Sequence, residues 1–172
     1  MMVRDGFLAR LLRHRWHDER DARRALPPAA LLRIETRVAT SESRHSGEIR
    51  VCVEAGLPLS YLWQRRTARE RAITLFGKLR VWDTERNNGV LVYLLLAERA
   101  IEIVADRGLN QHVTNAHWQA ILAGMREALG AGRYEQGLNQ AIDAVDVLLA
   151  QHFPLDSNAA DSNELPDAPL ML

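Results

Sequence analysis

The chain has 172 residues, 47% of them apolar, which is the size and make-up of one domain around one sizeable core. Lys plus Arg and Asp plus Glu both total 22, so no global positive excess draws the chain to a nucleic-acid backbone or an acidic membrane. Cys52 is the only cysteine, which excludes an intramolecular disulfide and a cysteine-based zinc site and fits a reducing compartment.

Lys78 is the only lysine among the basic residues, a bias that codon usage in a GC-rich genome explains without a functional cause. The first residues, Met-Met-Val-Arg-Asp-Gly, lack the apolar run of a signal peptide, and the longest apolar stretch, Val90 to Ala97, is too short to cross a bilayer as a helix. The expected setting is therefore cytoplasmic.

Residues 3–24 carry seven arginines against Asp5, Asp18, Glu19 and Asp21, and within them Phe7, Leu8, Leu11, Leu12 and Trp16 recur at helical spacing. This predicts a short basic amphipathic helix, set apart as an N-terminal unit over residues 1–26. Peripheral membrane-surface contact through this arginine-rich helix is a further reading. Pro27-Pro28 then breaks the chain and opens a second helix through Leu31, Leu32, Ile34 and Val38, running out near Ser43 to Gly47.

Ile49, Val51 and Val53 alternate with Arg50, Cys52 and Glu54, the period of a strand with two unlike faces. Leu57-Pro58-Leu59-Ser60 makes a turn and helix start, and Ala68, Ala72, Leu75, Phe76 and Leu79 mark one face of a long helix. After a polar loop, Trp82 to Gly89, the stretch Val90 to Leu96 is apolar throughout, as in a central strand covered on both faces. A short connection at Ala97-Glu98-Arg99 leads to Ile101–Val104, which predicts an antiparallel hairpin ended by Asp106-Arg107-Gly108.

Trp118, Ile121, Leu122, Met125 and Leu129 define the next helix, and Tyr134, Leu138, Ile142, Val145, Leu148 and Leu149 the last, with Gly130-Ala-Gly132 between them. From Pro154 to Leu172 there are four acids, no basic residue and no sustained periodicity, so a mobile acidic tail is expected over 154–172. The domain proper spans 27–153.

The order strand, helix, strand makes strands one and two parallel within one sheet, and the hairpin reverses strand three. Glu48 before strand one, Asn87 and Asn88 before strand two, and Asp106 after strand three then lie toward one sheet edge, where the long helix also delivers Asp83 and Glu85. Oxygen donors gathered there suit Ca²⁺ or Mg²⁺ better than zinc. Asn88-Gly89 and Asp106-Arg107-Gly108 also have the composition of plain chain reversals, and spacing alone does not separate the two readings.

The stretch Asp83 to Leu95, DTERNNGVLVYLL, resembles the Asp, short loop, Asn-Gly-Val-Leu entry to a central strand in the TPM domain family. This family includes the thylakoid acid phosphatase implicated in photosystem repair and many bacterial proteins. Glu98 to Asn115 resembles its Arg, Ile-Glu-Val, Gly-Tyr-Gly-Leu-Glu segment, and Arg133 to Gly137 its late aromatic and glycine element. The resemblance covers roughly residues 31–153. It implies a three-layer α/β/α sandwich, Rossmann-like, with a small mixed sheet, and a pocket for Ca²⁺ or Mg²⁺ around Asp83, Asn88 and Asp106, with Glu48 nearby. Two departures stand out: Gly-Tyr-Gly becomes Ala105-Asp106-Arg107-Gly108, and an amide, Asn115, stands where an acid is expected.

Other chemistries lack their signatures. Cys52 has no phosphate-cradling loop after it, there is no Walker-type glycine loop, and Asp83-Thr84-Glu85 is not a phosphoaspartyl motif. Cys52 reads as a buried apolar residue. His14 and His17 fit either a metal or a solvated basic face, and Trp63, Trp82 and Trp118 read as packing groups at helix ends. The resemblance implies a metal-dependent phosphatase of phosphomonoesters; the alternative is a non-catalytic module that binds a protein partner and is rigidified by its cation.

Overall fold

A computed structural model describes residues 6–155 and 163–172. Helices α1 (Phe7–Trp16), α2 (Glu19–Ala25) and α3 (Pro28–Glu42) precede strand β1 (Ile49–Glu54). Helices α4 (Leu59–Trp63) and α5 (Ala68–Lys78) lead to β2 (Val90–Leu95), and a 3-10 turn over Leu96–Glu98 joins it to β3 (Ala100–Ala105). Helices α6 (Arg107–Asn110), α7 (Asn115–Gly124), α8 (Arg126–Gly130) and α9 (Tyr134–His152) follow, and β4 (Leu170–Met171) closes the chain.

The predicted pairing is present: β1 and β2 are parallel, Ile49 opposite Val90, and β2 and β3 are antiparallel, Val90 opposite Ala105. Side chains of alternate parity enter two separate cores. Ile49, Val51, Val53, Val90, Val92, Leu94, Ile101 and Ile103 pack with Ile34, Val38, Leu138, Ile142 and Val145 of α3 and α9. Cys52, Leu91, Tyr93, Leu95 and Val104 pack on the other face with Leu62 of α4 and Ala68, Ala72 and Leu75 of α5. Every residue of β1 and β2 is buried, the signature of a sheet covered on both sides.

Side-chain caps and a proline fix where three of the helices start. Asp18 caps α2 and Thr67 caps α5, each in a reciprocal capping box with Asp21 and Glu70. Pro28 occupies the first turn of α3, where a missing N–H costs nothing.

Four features differ from the sequence-based expectations. The basic N-terminal stretch is two helices, not one, split by the Asp18 cap. The helix expected from Trp118 to Leu129 breaks at Met125 into α7 and α8. Trp63 and Trp82 are largely exposed, whereas Trp118 is buried with its Nε1–H on Asn110 Oδ1 at 3.2 Å. Residues 163–172, inside the expected tail, add β4 as a fourth strand, so the sheet order is β3-β2-β1-β4. Two residues of pairing, Cys52 with Leu170 and Val53 with Met171, are too few to leave a periodic signal. The strand is held from outside its own sequence: the buried Arg50 guanidinium donates to the carbonyls of Pro166 and Ala168. The expected tail also includes residues 156–162, which lie outside the described residues.

Candidate functional site

Parallel strands begin at a common edge and a hairpin returns there, so three segments meet below the sheet. Val90 N–H donates to Glu48 O at 2.8 Å, Asp106 N–H to Gly89 O at 2.9 Å, and Gly108 N–H to Asn87 O at 2.9 Å. These rungs extend the ladder past β1, β2 and β3 and fix the loops that carry Asn88 and Asp106. Gly89 is required here, because a Cβ would lie 1.9 Å from the Val81 carbonyl oxygen. Asn87 has a left-handed backbone, φ 53°, and its Oδ1 takes the Arg107 guanidinium at 2.8 and 3.1 Å, locking the two loops together.

Asn88 is fully buried. Its backbone N–H donates to Thr84 Oγ1 at 3.1 Å and its Nδ2 to the Ser46 carbonyl at 2.9 Å. Those bonds orient the amide so that Oδ1 is left buried with no hydrogen-bond partner among the described residues. Asp106 is the N-cap of α6, its Oδ1 accepting the Arg107 N–H at 2.7 Å, and its Oδ2 is likewise buried and unpartnered. Among the described residues only one other buried side-chain oxygen, Asn139 Oδ1, has that status, so two of three flank this edge.

The other two predicted site residues have different neighbours. Asp83 is exposed and its Oδ2 accepts from Arg80 Nη2 at 2.6 Å. Glu48 is buried and its Oε2 accepts the Leu165 N–H at 3.1 Å, anchoring the segment that carries β4. It lines a small pocket of ≈ 180 Å³ with Glu42 and Asp167. Burial, then the nearby charges of Glu48 and Asp167, push the Glu42 carboxyl up to about 9 against the backbone N–H of Ile49, so it is protonated at neutral pH. Glu42 was not among the residues singled out from the sequence, although it continues the Ile34, Val38 row of α3 at four-residue spacing. Among the described residues no three His, Cys, Asp or Glu side chains are grouped so as to hold a metal ion by themselves.

Two further polar clusters have the residue types of catalysis but not its geometry. Buried Ser41, His45 and Asp146 meet with Ser41 Oγ 2.9 Å from His45 Nε2 and 2.8 Å from Asp146 Oδ1. His45 Nδ1 accepts the Gly47 N–H at 3.2 Å, so the proton of the neutral ring sits on Nε2, facing Ser41. The ring cannot take the serine proton, and the trio is a fastener between α3 and α9. On the opposite face Glu54 receives Arg71 in a bidentate pair, 2.7 and 2.9 Å, and the Tyr93 hydroxyl at 2.7 Å. Burial, then the Glu54 charge, holds the Tyr93 hydroxyl well above its usual range. Burial likewise pushes the Cys52 thiol up to about 12, which keeps it protonated and unreactive.

A family model described as TPM domain matches residues 20–148, from α2 almost to the end of α9. The chain belongs to the TPM domain family. The TPM domain is similar to the NMR structure of the BA42 protein from the psychrophilic bacterium Bizionia argentinensis, with 27% identity and a TM-score of 0.73, covering 85% of this chain and 94% of that one. It also shares its fold with the N-terminal domain of a protein from P. gingivalis, at 22% identity and a TM-score of 0.58, over 76% of this chain and 82% of that one. No curated protein matches it. The matched residues contain the whole edge built by Glu48, Asn88 and Asp106, and among the described residues of this TPM domain no helix is long and apolar enough to cross a membrane.

Proposed function

We propose that this TPM domain binds a hard divalent cation, Ca²⁺ or Mg²⁺, between the Asn88 and Asp106 loops. The observation that carries this is the pair of buried, unpartnered oxygens, Asn88 Oδ1 and Asp106 Oδ2, on loops tied to each other by backbone rungs. A buried acceptor without a donor costs about 1–3 kcal/mol, and an oxygen-seeking cation removes that cost. An amide carbonyl and a carboxylate are donors such ions accept, and neither is a zinc-selective ligand.

Asp83 joins as a further ligand by giving up its exposed pair with Arg80, which is worth at most about 1 kcal/mol. Glu48 flanks the site and keeps its bond to Leu165, completing the shell or positioning water only if that bond opens. The proposed setting is the cytoplasm, supported by a single buried cysteine.

The chemistry that suits the family is metal-dependent hydrolysis of phosphomonoesters. A bound cation would polarise a phosphoryl oxygen and lower the pKa of a coordinated water. This chain's contribution is to hold the two loops in register and to supply the charge of Asp106. A second reading, an interaction module rigidified by the ion, is favoured by the satisfied state of both polar clusters, which leaves neither Ser41 nor Cys52 as a nucleophile. Hydrolysis of p-nitrophenyl phosphate with and without Ca²⁺ or Mg²⁺ separates the two. Cation-dependent turnover lost in Asp106→Asn, with an unchanged circular dichroism spectrum, supports the phosphatase. Cation binding without turnover supports the module.

A further inference from the structure

Helix α1 carries apolar side chains on both its protein-facing and its solvent-facing sides. The positions that face the protein, Phe7, Arg10, Leu11 and His14, include two polar groups that do the anchoring. Arg10 Nε reaches Glu98 Oε1 at 2.8 Å and its Nη2 the Arg66 carbonyl at 2.7 Å. His14 is buried, with Nδ1 accepting the Leu57 N–H at 3.0 Å, so its Nε2 carries the proton that bridges to Glu98 Oε1 at 3.0 Å. The solvent side carries Leu8, Leu12 and Trp16 at four-residue spacing, 71%, 53% and 76% exposed.

The stripe does not stand alone. The Phe7 and Trp63 rings lie 5.6 Å apart, which sets α4 beside α1, and α4 adds Leu59 and Trp63, 56% and 67% exposed. Arginines rim this apolar surface: Arg15 at the end of α1, Arg65 over the Phe7 ring at 6.0 Å, and Arg66 over the Tyr61 ring at 5.4 Å. Between Gly6 and Ala25 there are six arginines against Asp18, Glu19 and Asp21.

We infer that the α1–α4 face is a docking surface for an anionic lipid bilayer, on which α1 lies flat with Leu8, Leu12, Trp16 and Trp63 entering the headgroup boundary. Tryptophan is a side chain of that boundary, apolar in body with one polar N–H. The arginines meet anionic headgroups at the same depth. A second copy is the poorer occupant, because a two-fold contact through this face sets Arg15, Arg65 and Arg66 against a like-charged patch. A nucleic-acid backbone has no use for the leucines. The surface is separate from the Asn88 and Asp106 edge, and the inference does not depend on what binds there.

The test is co-sedimentation of the full chain with phosphatidylcholine vesicles, with and without about 30% phosphatidylglycerol, at about 0.05 M and about 0.5 M NaCl. Binding to the anionic vesicles at low salt, about tenfold weaker on neutral vesicles or at high salt, is the expected result. The double variant Leu12→Glu/Trp16→Glu should lose it by a further factor of at least about ten while keeping the wild-type circular dichroism spectrum, since both side chains face solvent. The variant Arg15→Glu/Arg65→Glu should weaken it and flatten its salt dependence. No binding to anionic vesicles, or equal binding by the wild type and the Leu12/Trp16 variant, overturns the inference. A concentration-dependent dimer that the same variant abolishes also overturns it and assigns the face to a second copy.

Discussion

Among the described residues Asn88 Oδ1 and Asp106 Oδ2 are buried without a donor, whereas Glu54, Ser41 and Asp146 each have one. The proposed cation site rests on that contrast. If Glu54 is scaffold, Glu54→Ala should cost about 3–5 kcal/mol in urea unfolding, because it strands the Arg71 guanidinium beside a buried tyrosine. It should leave cation binding unchanged, which calorimetric titration of the folded variant would check. Glu42 makes a pH-dependent prediction. Its carboxyl sits near 4.5 when free and about 9 in the fold, so the folded state holds a proton the unfolded chain has released. The stability this group contributes is full below pH 4.5 and is lost progressively as pH rises through about 9. Glu42→Gln should therefore match the wild type at pH 4 and melt higher by a growing margin from pH 6 to 9. A constant difference across that range would show that Glu42 does not titrate there.

At the scale of elements, legibility followed length and period. The alternation of Ile49 to Glu54 and the unbroken apolar run from Val90 specified β1 and β2, and the hairpin followed from the three-residue gap at Ala97 to Arg99. The strand β4 was invisible, because two paired residues have no period and their stability comes from Arg50 and Glu48, more than a hundred residues away in sequence. Removing residues 163–172 should then cost about 3 kcal/mol or more, since Leu165 leaves its core and Arg50 loses both carbonyls. Chemical denaturation of the shortened chain measures it, and an unchanged midpoint would mean the segment contributes nothing to the fold. The surface side of α1 was half legible. Spacing showed a helix with Leu8, Leu12 and Trp16 on it, but which side faced the protein depended on Arg10 and His14 meeting Glu98, a contact across more than eighty residues.

For the whole molecule, topology carried the candidate site further than composition did. Two parallel strands and one returning strand bring the start of β1, the start of β2 and the end of β3 to one edge, whatever side chains stand there. Sequence spacing therefore placed Asn88 and Asp106 correctly at that edge. It did not foresee that Asp83 would pair with Arg80 or that Glu48 would tether Leu165, because local pairs and returning segments compete for the same carboxylates. The TPM domain is thus an α/β sandwich with two buried, unpartnered oxygens among the described residues at one sheet edge. The most direct test is the melting temperature of the wild type and of Asp106→Asn in rising Ca²⁺. A ligand present at about a hundred times its dissociation constant stabilises the fold that binds it by about 2.7 kcal/mol. The wild-type transition should climb with Ca²⁺ while that of Asp106→Asn stays level; a wild-type transition indifferent to Ca²⁺ and Mg²⁺, or an equal climb in both proteins, would contradict a cation at Asn88 and Asp106.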